Sequence, residues 1–178
     1  MILSLLRRNP SKTTIQLLYG VIVAQARLPS FYVRYGVPDT VDGRFDMIVV
    51  HLFLLAERAS REPGSLGALP SALFNRFCVD LDHNLREMGV GDLTVPRRMK
   101  GYAEAYYGRS EAYRTALAAS DRAALSAALA RNVYGRSDAN DESSRLADYV
   151  MAGASALARQ PAEAIARGKL DFPDPEAF

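Results

Sequence analysis

The chain has one cysteine, two histidines and no tryptophan. A single cysteine excludes an intramolecular disulfide and a thiolate-rich zinc site, and fits a reducing compartment. Lysine occurs only at Lys12, Lys100 and Lys169, so arginine carries most of the positive charge. Arginine favours carboxylate, phosphate and aromatic contacts. No apolar run reaches the roughly 20 residues that a membrane-spanning helix needs. Ile15–Ala26 is broken by Gln16, Gly20 and Gln25, and Met47–Ala56 by His51. A net charge of +2 is too small to suggest DNA as a partner. Gly89-Val90-Gly91 lacks the lysine and preceding strand of a phosphate loop. The opening Met1–Arg8 places its charges after its apolar residues, the reverse of a secretory signal, so the expected location is cytoplasmic.

The residues present read as helix throughout. With 178 residues, 49% of them hydrophobic and 24% charged, the chain fits one domain with a real core. Ser11 can cap a helix to about Arg27, and Asp39 or Thr40 a long one to Ser60. Pro63, Gly64 and Gly67 mark a loop, and Ser71 starts a helix that runs to Met88. Gly89–Asp92 is a turn, after which Thr94 caps and Pro96 opens a helix over Val95–Ala119. Ser120-Asp121 caps an Ala/Leu helix to Tyr134, and Glu142–Arg159 forms another. No alternating run is bounded by hairpin turns. The expectation is an all-α fold, a single compact bundle of about six to seven helices over residues 1–178. Its tail, Asp171–Phe178, is mobile unless its phenylalanines dock.

Catalytic and metal readings find little material. Asp80, His83 and Glu87 share a helix face, but a di-iron bundle needs a second acid-x-x-His pair, which is missing. His51 shares a face with Ile48, Leu52 and Leu55 and reads as a neutral core histidine, with Asp39, Asp42 and Asp46 as candidate partners. Cys78, between Phe77 and Val79, reads as a buried, inert thiol. No catalytic residue, metal or cofactor is expected, and no small-molecule substrate.

What remains is surface. Arg97, Arg98 and Lys100 put three positive charges in the first turns of a helix, against its dipole, and so suggest an anionic partner. Asp92 and Glu104 are available to compensate them. Tyr102, Tyr106 and Tyr113 share spacing with Met99 and Leu117 and read as core, whereas Tyr107 points elsewhere and suits an interface. Asp42 and Arg44 belong to a third candidate, since capping accounts for Asp39 or Thr40 but not for Gly43 and Arg44.

Four runs, VPDTVDGRFD, LREMGVGD, AYYGRSEAY and ARNVYG, carry a resemblance between Phe31 and Gly135. In order and spacing they resemble the bacterial branch of the ubiquinol–cytochrome c chaperone family. The resemblance implies a non-enzymatic assembly factor for the cytochrome bc1 complex, with newly made cytochrome b as client. It also implies further contacts with a ribosome or an anionic membrane surface, peripheral to the inner membrane. Two rivals from the residues alone are a lipid- or quinone-binding protein, with a cavity lined by Ile15–Ala26 and Met47–Leu55, and a metal-dependent enzyme built on His51 and His83.

Overall fold

The structure is a computed structural model that describes residues 10–178; the reading of Met1–Arg8 lies outside them. Helix starts follow capping chemistry closely. Ser11 accepts from the Thr14 amide at 3.0 Å to open α1, Lys12–Ala26. Thr40 accepts from Gly43 at 3.1 Å to open α3, Val41–Ser60. Asp121 does the same for α6, Arg122–Val133, and Asn140 and Ser143 form a reciprocal capping pair at α7, Asp141–Arg159. Between these lie the five-residue α2, Pro29–Val33, then α4, Leu69–Glu87, and α5, Val95–Ala118. A short α8, Ala162–Ala166, and a 3-10 turn at Pro175–Ala177 complete the chain. Among the described residues there is no strand: six helices of twelve residues or more and two single-turn ones form the bundle.

The central element is α3. Its run Phe45–Leu55 is buried without interruption, and it packs against α1, α4, α5, α6 and α7. An all-round apolar helix has nowhere stable except the middle of a bundle. Leu18 and Ile22 of α1 lie with Met47, Val50 and Leu54 of α3 in one core. The two stretches that a lipid cavity would have needed are thus packed with each other. No helix among the described residues is long and apolar enough to cross a membrane.

Three local expectations change. Helix α4 begins at Leu69, with Pro70 in its first turn, two residues before Ser71. Thr94 precedes α5 without a side-chain cap, because its backbone is already helical; its amide instead donates to Gly91 O at 2.8 Å. The tail is docked. Phe172 meets His51 edge-on at 5.0 Å, Phe178 lies 6.0 Å from Tyr149, and Pro175 is buried. Gln25 and the Tyr35 hydroxyl donate to Pro173 O and Pro175 O, which holds the strap across α1 and α2.

Candidate functional site

Two buried polar groups sit five residues apart on α3, and they differ in what surrounds them. His51 is fully enclosed. Its Nδ1 lies 2.7 Å from Met47 O, which can only accept, so Nδ1 carries the proton. Nε2 then accepts from the Tyr149 hydroxyl at 2.8 Å, and Tyr149 accepts in turn from Gln25 at 3.1 Å. Burial pushes the imidazole down to about 4, so it stays neutral. Its partners are a carbonyl and a phenol rather than the aspartates suggested by the sequence.

Asp46 pairs instead with Arg109 of α5. Burial pushes its carboxyl up to about 7, against the pull of the Arg109 guanidinium. Arg109 lies over the Phe45 ring at 5.4 Å. This pair floors an open groove of about 670 Å³ between the start of α3, one face of α5 and the end of α6. The α5 face is a stripe, Arg98, Tyr102, Ala105 and Arg109, at helical spacing. The α6 end supplies Arg131, Asn132 and Tyr134, and the α3 side supplies Asp42, Gly43 and Phe45. Phe45 and Tyr102 meet at 4.7 Å.

Two surface candidates read separately from the sequence, Asp42 and Arg98, therefore share one groove. The basic cluster itself divides. Arg98 faces the groove, while Arg97 and Lys100 lie outside its lining, and Lys100 pairs with Glu104 at 3.7 Å. Asp92 does not compensate the cluster; it pairs with Arg86. Arg44 also lies outside, holding Asp39 at 2.8 Å on the exposed surface. Gly43 is explained by approach: a Cβ there would collide with the Pro38 carbonyl oxygen. Tyr107 is 61% exposed and belongs to a second hollow, lined also by Phe74, Tyr106 and the buried Ser110.

The remaining chemistry candidates are engaged elsewhere. His83 pairs with Glu87 at 3.1 Å, and Asp80 accepts from Tyr19 at 3.0 Å and pairs with Arg76. Cys78 is only partly buried rather than enclosed, and burial raises its thiol.

From the sequence, Asp46 is only a candidate partner for His51, Tyr102 reads as core, and neither Arg109 nor Arg131 is singled out; in the structure Tyr102 is only partly buried and lines the groove. The available signal was the stripe at 98, 102, 105 and 109, in which two arginines recur at the spacing of tyrosine and alanine. Three of the four runs that carry the family resemblance, Val37–Asp46, Ala105–Tyr113 and Ala130–Gly135, contribute to this groove; Leu85–Asp92 does not.

A family model described as ubiquinol-cytochrome C chaperone matches residues 33–172. The crystal structure of the Cbp3 homolog from Brucella abortus is 40% identical, with 99% of this chain and 98% of that chain covered and a TM-score of 0.85. No curated protein matches the chain.

Proposed function

The chain belongs to the ubiquinol–cytochrome c chaperone family, and from that membership we propose that it is a non-enzymatic assembly factor of the cytochrome bc1 complex. Its client is newly made cytochrome b, and the groove over Asp46–Arg109 is the client-binding face. The observation that carries this reading is convergence. Three sequence runs, far apart in the chain, supply the walls of one open groove with aromatic rings and arginines side by side. Aromatic residues and arginine are what protein-binding surfaces enrich.

A photo-reactive benzoylphenylalanine placed at position 102, inside the groove, tests the reading in cells. The expected result is a crosslinked product containing cytochrome b, with a weaker product or none from position 107 in the second hollow. A product from 107 and none from 102 would move the client face to that hollow. The absence of cytochrome b from both would remove the client assignment.

A further inference from the structure

The charges in the groove are unevenly satisfied, and that unevenness describes what fits there. Arg98 and Arg131 both line it, and neither has a carboxylate partner among the described residues. Arg109 uses one donor on Asp46, which leaves the rest of a five-donor guanidinium free of other side-chain bonds; it remains partly exposed to the groove. Asp46 is already paired with Arg109 and nearly enclosed. Asp42, on the α3 side, stands unpaired among the described residues.

We infer that the groove takes a client segment bearing a single carboxylate, gripped by Arg98 and Arg131 across the mouth while Arg109 donates from the floor. An apolar or aromatic neighbour of that acid lies against Phe45 and Tyr102. The inference rests on the client reading above and adds the chemistry of the segment. Planar guanidinium forks match a carboxylate in two parallel hydrogen bonds. Asp42 disfavours a polyanion such as RNA, whose successive phosphates would meet it, whereas one acid between the arginines need not. The tilted pair Phe45–Tyr102, with ring centroids 4.7 Å apart, offers the apolar contact that a bare anion site lacks.

The test uses the full chain and fluorescein-labelled overlapping peptides that cover the water-exposed segments of cytochrome b. Each acidic peptide has a copy with Glu→Gln or Asp→Asn. By anisotropy, the tightest peptides should be acidic, and their neutral copies about tenfold weaker. Arg98→Ala and Arg131→Ala should each weaken the acidic peptides by about the same factor and leave the neutral copies unchanged. Arg98→Lys and Arg131→Lys, which keep the charge but lose the fork, should fall between. Neither arginine makes an ion pair among the described residues, and the helix dipole acts only weakly, against Arg98 at the start of α5 and for Arg131 at the end of α6, so melting temperatures should move little and loss of binding cannot be blamed on unfolding. Equal binding of acidic and neutral copies would overturn the inference, as would losses that the neutral copies share or the absence of any acidic binder. Preferential binding of a single-stranded RNA oligonucleotide would overturn it too. Crosslinking of cytochrome b at position 102 alongside charge-indifferent peptides would remove this inference alone and leave the client reading standing.

Discussion

His51 and Asp46 lie within five residues on the same buried helix, and only one of them faces an opening. Every polar atom of the His51 ring is matched by a neighbour with nothing left over, and the C-terminal strap closes above it through Phe172. Asp46 is also buried, but its partner Arg109 looks outward into a groove with donors unused and two further arginines nearby. Burial alone is therefore a poor guide to role. A polar group satisfied on all sides specifies packing; one whose partner still has hydrogen-bonding capacity toward solvent is set up for another molecule. The comparison predicts that damage at His51 appears as lost stability, and damage at the groove as lost binding.

The largest effect should come from the sealed side. His51→Asp places a carboxylate against Met47 O, where a donor is required, and should cost about 2–4 kcal/mol in urea unfolding. The fraction that remains folded should crosslink cytochrome b from position 102 as well as the wild type does. An unchanged unfolding midpoint would break the distinction at its base.

At the groove floor the effects should be smaller and of mixed kind. Asp46→Ala strands Arg109, but the guanidinium can turn toward solvent, so the cost should be about 1–3 kcal/mol, accompanied by weaker client capture. The two sites also oppose each other in pH. Asp46 has its folded value raised from 3.8 to about 7, so its contribution is complete at acid pH and is lost as pH rises toward 7. His51 has its folded value lowered from 6.5 to about 4, so its contribution is present above 6.5 and is lost as pH falls toward 4. Asp46→Asn removes only the first slope. Its stability relative to the wild type should improve between pH 4.5 and 7, by an amount on the order of 1 kcal/mol. A difference that stays flat with pH would show that the Asp46 carboxyl is not perturbed by burial.

How far the sequence foretold each site follows from how local its contacts are. Helices α1, α3 and α6 were legible because Ser11, Thr40 and Asp121 act on amides three residues away. The burial of His51 was legible from its apolar face on α3, but its partner Tyr149 lies 98 residues distant and carries no local signature. Docking of the tail through its phenylalanines was the named exception, but its partners were hidden for the same reason: the groups that hold Pro173 and Pro175 are Gln25 and Tyr35, near the other end of the chain. The groove was half legible. Asp42 and Arg98 stood out singly as exposed charges, yet only the packing of α3 against α5 brings them to one place. The Asp46–Arg109 pair spans 63 residues; Asp46 stood out only as a candidate partner for His51, and Arg109 sat unremarked in a tyrosine-rich helix.

The smallest expected effect gives the sharpest division, because it separates neighbours on one helix. Arg97 and Arg98 both occupy the opening turns of α5, where a positive charge opposes the helix dipole. Replacing either with Glu should therefore raise stability by about 0.3 kcal/mol, nearly the same for both. Lys100→Glu should gain less, since it also exchanges the Lys100–Glu104 attraction for a repulsion four residues apart. On stability alone the three are close to interchangeable. Their surroundings are not: Arg98 lines the groove with Tyr102 and Arg109, while Arg97 and Lys100 do not. Arg98→Glu should lower the level of assembled bc1 complex in cells, whereas Arg97→Glu and Lys100→Glu together should leave it unchanged. Reversal of that order would assign recognition to the outer face of α5, and the groove would then be a packing feature of the same kind as the enclosure around His51.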